Sequence, residues 1–315
     1  MKQIAVITPI SHLPGIKDLL LTKGDVFLFE EANKSRVRQL LLDRDIDTIV
    51  CNPNQQSYKI DRELLLGTKI NTINSCSTGL NHIDLDYCKN NNIEIQCHKN
   101  DYKLINQLPS TSELAFGLML SLLRNIPECN NHVSRYHWDY TQFMGRQVKD
   151  LKIGIVGYGR LGKMMYNYCK TFGATVCVYD PYEKKNMDDA FLLNSYKDLP
   201  PMFTECDVIS LHVHATPETK YMISEKLLGL SKKDLYIINT SRGEIVNEND
   251  IVKALKNKHL TGYGTDVVED EFGNLNQSPI IKAMNEGENI IATPHIGGMT
   301  IEGQTKAYKW SINKL

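Results

Sequence analysis

The chain has 315 residues, 42 % hydrophobic and 23 % charged, the profile of a globular protein long enough to build two cores. Its 36 Lys and Arg against 37 Asp and Glu leave a formal net charge of -1, and no long basic run occurs, so nucleic acid is not an expected partner. No apolar run approaches the ~20 residues that span a bilayer, and the start MKQIAVITPI lacks a signal peptide's long apolar stretch, so a cytoplasmic protein without membrane contact is expected.

In chain order, the β-rich runs QIAVIT, IDTIVCN, INTINSC and IEIQC come first, separated by segments rich in Leu, Lys, Asp and Glu. Such alternation predicts parallel βαβ units. PSTSELAFGLMLSLLRNIP follows, with Ser110 and Glu113 reading as a capping box after Pro109 ahead of a nearly all-apolar, buried helix that ends before Pro127. A second series, LKIGIVGYG, ATVCVYD, DVISLHV, LYIINTS, TGYGTDVV and NIIATPH, gives six strand candidates at doubly wound spacing. The expected fold is α/β with two doubly wound parallel-sheet domains. One is a Rossmann dinucleotide-binding domain over 104–295, the other a smaller flavodoxin-like substrate domain over 1–103 plus 296–315. That division makes the tail return to the first domain as a helix. The eight cysteines contain no CxxC pair, and several sit in strand-like runs, so they are expected as buried free thiols, with no metal site.

Chemistry concentrates in the second series. Gly157, Gly159 and Gly162 form GYGRLG between the strand LKIGIV and the helical KMMYNYCKTF, and Asp180 ends the next strand. Gly157 permits the tight turn, Gly159 lets backbone approach a pyrophosphate, Gly162 permits close helix packing, and the helix start presents N–H groups to the anion. Arg160 and Leu161, inside the motif, and Thr240, after LYIIN, are counted with this site. Asp180 is expected to accept ribose hydroxyls and to repel a 2′-phosphate, which favours NAD over NADP, although Lys184 and Lys185 lie just downstream.

Arg242 in NTSRG, the acidic run Glu269, Asp270 and Glu271, and His295 in TPHIGG each follow a predicted strand, where open α/β sheets bind ligands. Reducing a 2-keto acid needs a planar cation for the carboxylate, an acid for the forming alkoxide, and a carboxylate to hold that acid protonated. Arg, His and one member of the acidic run match those needs. The same residues taken singly also read as a surface ion-pair partner, a charged loop and a turn residue, and chemistry alone does not choose among the three carboxylates.

Together these stretches resemble the D-isomer-specific 2-hydroxyacid dehydrogenase family. STGLNHIDLD, STSELAFGLMLSLLRNIPE, GYGRLGKMMYNYCKTFGATVCVYDPY, VISLHVHATPETKYMI, INTSRGEIVNENDIVKAL, TGYGTDVVEDE and ATPHIGG occur in the family's order over nearly the whole chain. The resemblance implies an NAD-dependent dehydrogenase or reductase moving a hydride at the 2-position of a small acid. It implies Arg242 as substrate clamp, Glu271 as the partner of His295, and His295 as acid/base. It also implies Asp266 near the nicotinamide carboxamide, and Thr78 and Gly79 as backbone donors to the substrate carboxylate. Where the family usually has Pro after the glutamate, this chain has Phe272. Where phosphoglycerate-specific members carry a cation, it reads CNPNQQ, and the amides of Asn54 and Gln55 favour a neutral substrate over a phosphorylated one. Trp138, in RYHWDY, reads as an aromatic reaching a neighbouring subunit's pocket or as a dimer-interface or core tryptophan, and a homodimer is expected. The rival functions are an NAD-sensing, corepressor-like binding protein on the same fold, and a formate or phosphite dehydrogenase. Formate enzymes lack the triad glutamate that Glu271 supplies.

Overall fold

The computed structural model describes residues 1–30, 33–53, 58–182, 198–271 and 273–315. They form two compact units: Met1–Leu108 with Gly298–Leu315, and Pro109–Gly297.

The first unit carries a five-stranded sheet of β1 (Lys2–Val6), β2 (Gly24–Leu28), β3 (Thr48–Cys51), β4 (Thr72–Ser75) and β5 (Glu94–Gln96). All are parallel, in the order β2-β1-β3-β4-β5, which is the flavodoxin-like winding. TIVC in β3 and TINS in β4 are buried at every position, as parallel strands covered on both faces must be. The sequence reading found four of these five strands and missed β2. GDVFL lies at the sheet edge with a single neighbour, so only its first residue is fully buried and no continuous apolar run marks it.

The helix Ile301–Ile312 closes this unit: Tyr308 and Ile312 share a core with Ile4, Val6, Ile16 and Leu20. Polar ties reinforce it, with Ser311 Oγ donating to Asn74 Oδ1 at 2.6 Å and Tyr308 Oη 3.2 Å from Thr8 Oγ1.

The second unit carries β6 (Lys152–Val156), β7 (Thr175–Tyr179), β8 (Val208–Leu211), β9 (Tyr236–Asn239), β10 (Gly262–Thr265) and β11 (Ile290–Ala292). These are also parallel, in the order β11-β10-β9-β8-β6-β7, so the winding reverses between β6 and β8. Ligands of such sheets bind outside the carboxyl ends at that reversal. The helix Ser110–Leu123 buries Ala115, Leu118, Met119, Leu122 and Leu123 against this sheet, in one core with Ile153, Ile155 and Ile238.

One expectation for that helix fails. Pro109 already has helical geometry (φ -83°, ψ -14°), which places Ser110 inside the first turn, and no side chain caps the start. The capping box therefore does not form. The helix ends at Leu123, and a second helix, Ile126–Ser134, restarts after Asn125 at φ +51° with Pro127 in its first turn. All eight cysteines are free and six of them are buried. Among the described residues no helix is long and apolar enough to cross a membrane.

Candidate active site

The glycine loop leaves the carboxyl end of β6 at the winding reversal. Gly157 sits at φ +90°, and a Cβ there would lie 2.7 Å from the His212 carbonyl oxygen at the end of β8, so both conformation and space exclude a side chain. A Cβ on Gly162 would lie 2.0 Å from the Gly157 carbonyl oxygen, which makes this glycine the reason the Arg160–Thr171 helix can start so close beneath the loop. Gly159 is different: a Cβ there meets nothing within 4 Å. The space over Gly159 is open on the face where the helix begins without a side-chain cap, which suits a phosphate-bearing ligand. Lys163 N–H makes the first helical bond, to Gly159 O at 2.9 Å, and Leu161 O accepts Ser112 Oγ at 2.9 Å, tying the loop to the Ser110 helix.

Asp180 follows β7. Its Oδ2 accepts Tyr158 N–H at 2.7 Å and its Oδ1 accepts Tyr182 N–H at 2.9 Å, so the carboxylate braces the glycine loop and each oxygen keeps a lone pair for a ligand hydroxyl. Lys184 and Lys185 lie outside the described residues.

Arg242 stands after β9 in extended geometry. Its Nη1 donates to Ser241 O at 2.6 Å, and among the described residues it forms no ion pair. A half-buried guanidinium without a carboxylate is suited to an external anion. Beside it, the hydroxyl oxygen of buried Thr240 has no hydrogen-bond partner among the described residues, a vacancy that a bound cofactor or substrate would fill. Gly243 packs directly on the Val268–Glu269 peptide, where a Cβ would come within 2.1 Å of Val268 C. The absence of a side chain at Gly243 thus lets the arginine loop lie against the acidic run.

Within that run the three carboxylates have separate fates. Glu269 accepts the Tyr221 phenol, Asp270 is exposed, and Glu271 Oε2 lies 2.7 Å from His295 Nδ1. A carboxylate can only accept, so Nδ1 is the protonated nitrogen of that bond and Nε2 is turned to the other side of the ring. Phe272, the departure next to Glu271, lies outside the described residues.

His295 sits at φ +54°, held there by its N–H donating to both Asp266 O and Thr293 O at 3.0 Å. Left-handed geometry in a non-glycine residue costs on the order of 1 kcal/mol and is concentrated at functional sites. Asp266 is what holds the turn. Its carboxylate is buried and accepts Thr293 Oγ1 at 2.6 Å, Ile296 N–H at 2.8 Å and Gly297 N–H at 2.7 Å. Burial pushes this carboxyl above its ordinary range, against the opposing pull of those three donors. His212, also at the carboxyl edge, has its Nε2 2.8 Å from Ser210 Oγ, and desolvation favours its neutral form.

Sequence reasoning missed Glu248. Its Oε1 accepts Glu269 N–H at 2.9 Å and its Oε2 accepts Ser278 Oγ at 3.2 Å, so a buried carboxylate anchors the loop that carries Glu271. In sequence it is an ordinary first-turn acid of the helix Glu248–Lys256, and nothing there distinguishes it from a solvated charge. In the first unit, Thr78 and Gly79 follow the carboxyl end of β4, and neither N–H has a hydrogen-bond partner among the described residues. Asn54 and Gln55 lie outside the described residues.

A sequence profile of the D-isomer specific 2-hydroxyacid dehydrogenase NAD binding domain matches residues 116–297. The chain belongs to that family. Glyoxylate reductase from Thermococcus litoralis is 32 % identical over 282 residues, covering 86 % of this chain and 80 % of that protein. D-3-phosphoglycerate dehydrogenase from Methanocaldococcus jannaschii is 29 % identical over 308 residues, covering 98 % of this chain but 55 % of that protein, so the chain spans about half the length of this relative. Among solved structures, D-lactate dehydrogenase from Aquifex aeolicus, complexed with NAD and lactic acid, superposes with a TM-score of 0.76 at 26 % identity, covering 99 % of this chain and 94 % of that one. The family's NAD-binding domain therefore coincides with the sheet of the second unit, and the open face at Gly159 and the unpartnered Thr240 hydroxyl fit the dinucleotide.

Proposed function

We propose that this dehydrogenase reduces small 2-keto acids to D-2-hydroxy acids with NADH, and runs the reverse oxidation. The observation that carries the reading is the 2.7 Å pair of His295 Nδ1 and Glu271 Oε2 on the sheet edge that also bears an arginine with no ion pair among the described residues. Bound NADH supplies the hydride. Arg242 clamps the substrate carboxylate through its planar fork and polarises the neighbouring carbonyl. His295 Nε2 gives its proton to the oxygen that becomes the hydroxyl, while Glu271 stabilises the imidazolium and fixes the ring. Thr78 and Gly79 amides add donors to the carboxylate, Asp180 takes the adenosine ribose, and Asp266 serves the carboxamide end of the cofactor as well as the His295 turn. The amides of Asn54 and Gln55 favour a substrate whose side chain carries no phosphate. Measuring NADH consumption against a panel of 2-keto acids, phosphorylated and not, tests the assignment. Turnover of none of them would refute it.

We also propose a homodimer formed through the second unit. Tyr136, Trp138, Tyr140 and Met144 are each at least 85 % exposed, an apolar surface that a second copy of the chain would cover. Light scattering should give twice the chain mass, and Trp138→Glu should halve it. The free thiols fit a reducing, cytoplasmic location.

A further inference from the structure

The loop after β4 is held from inside by a chain of polar groups. Ser77 Oγ donates to Gly79 O at 2.8 Å, Ser75 Oγ lies 2.8 Å from Ser77 Oγ, and His82 Nε2 lies 3.2 Å from Ser75 Oγ. Cys51 Sγ sits 3.6 Å from the same nitrogen. Only one set of proton positions satisfies the chain. A carbonyl accepts, so Ser77 spends its single proton on Gly79. Ser75 must then donate to Ser77, and His82 must donate from Nε2 to Ser75. The imidazole is 1 % exposed and burial lowers it to about 4, so at neutral pH it carries one proton, and its Nδ1 has no partner among the described residues. A bare Nδ1 is the tautomer that the chain demands.

The two ends of this loop are fixed separately. Ser75 belongs to β4, and Ile60 brackets the far end by donating its N–H to His82 O at 2.8 Å and accepting Asp84 N–H at 2.9 Å. Between them, His98 N–H donates to Ser77 O at 2.9 Å, and the Gly79 carbonyl is turned inward by Ser77. The carbonyl oxygen and the following N–H of one peptide plane point oppositely. Pulling Gly79 O inward therefore turns the Leu80 N–H outward, beside the unpartnered amides of Thr78 and Gly79.

We propose that His82, Ser75 and Ser77 form a directional brace that aims the 78–80 amides at the substrate carboxylate, which makes all three positioning residues. The proposal rests on the reading of Thr78 and Gly79 as carboxylate donors. Its signature is a split between binding and turnover, because the brace acts on the carboxylate and not on the hydride or the proton.

The test uses the full-length enzyme, pyruvate as substrate and oxamate as a non-reacting competitor. Ser77→Ala should raise both the KM for pyruvate and the Ki for oxamate by about tenfold, the loss expected for one hydrogen bond. kcat and NADH affinity should hold, and Ser77→Thr, which keeps the hydroxyl, should restore both constants. Nitrogen NMR should show His82 protonated on Nε2 alone through neutral pH. Unchanged KM and Ki in Ser77→Ala would overturn the brace, as would equal losses in kcat and NADH affinity, or a proton found on His82 Nδ1. Failure of the underlying reading looks different: Thr78→Pro, which removes one of those amide donors outright, would then leave the Ki for oxamate unchanged.

Discussion

Glu271→Gln removes a charge and almost nothing else. The amide oxygen can still accept the His295 Nδ1 proton over the 2.7 Å bond, so the ring keeps its place and only the ionic part of the interaction disappears. A hydrogen bond to a charged group contributes about 1.5–3 kcal/mol and a neutral one about half that, so the imidazolium loses about 1–2 kcal/mol of support. The side chains are 28 % and 19 % exposed, enough solvent to place the effect at the lower end. Keto-acid reduction at neutral pH should therefore fall about tenfold in kcat/KM. Stopped-flow reduction with saturating NADH, run at pH 7 on the two glutamine variants of the acidic run, decides the matter. Glu269 is engaged by the Tyr221 phenol, and Glu269→Gln should leave kcat/KM unchanged. A loss of about tenfold in Glu269→Gln with none in Glu271→Gln would refute the pairing.

Three further outcomes follow from contacts of single residues. Gly159→Ala should fold with unchanged thermal stability yet bind NADH at least about tenfold more weakly, whereas Gly162→Ala, whose methyl would sit 2.0 Å from a carbonyl oxygen, should lose stability first; fluorescence titration beside thermal melts separates them. Burial raises the Glu248 carboxyl, against the pull of Glu269 N–H and Ser278, so its neutral form favours folding and that contribution is lost as pH rises through the folded value. Glu248→Gln satisfies the same two partners without a charge and should be at least as stable as the parent at pH 7, while Glu248→Ala should cost about 1–3 kcal/mol in denaturant melts. Asp207 runs the other way. Burial would raise it, but Lys232, the Lys152 N–H and Arg146 bring it below its usual range, so its stabilisation is full above the ordinary carboxylate pKa and is lost as pH falls through the lower, folded value. Asp207→Asn should melt earlier at pH 7 and lose less on acidification, and equal sensitivity to acid in the two proteins would contradict the assignment.

What the sequence made legible were features with a local period or a fixed spacing. The parallel strands of both sheets show as fully buried runs such as TIVC and VISL, and the glycine loop as a fixed spacing in which Gly157 and Gly162 lie against backbone and Gly159 against open space. What it hid were features set by distant partners. β2 borders one strand only, so its burial alternates weakly. Ser110 has the composition of a cap, but Pro109 had already entered the helix. Glu248 reads as an ordinary acid until the N–H group it accepts, 21 residues away, is brought to it by the fold, and the resemblance that implied Asp266 at the carboxamide did not show its hold on the Ile296 N–H, 30 residues on.

Those acids share one task, and it bears on why the arginine is available. Loops at the carboxyl ends of strands have amides that no neighbouring strand can satisfy. Here carboxylates take them: Asp180 accepts Tyr158 and Tyr182, Glu248 accepts Glu269, and Asp266 accepts Ile296 and Gly297. Glu269 is occupied by a phenol and Glu271 by the imidazole. The negative charge of these five acids is thus directed at amides, a phenol and an imidazole, and among the described residues none of it pairs with the Arg242 guanidinium, which donates to the Ser241 carbonyl. An arginine on the sheet edge that carries these five acids, still without an ion pair among the described residues, keeps its fork for a carboxylate that arrives from solution, which is the charge a 2-keto acid brings.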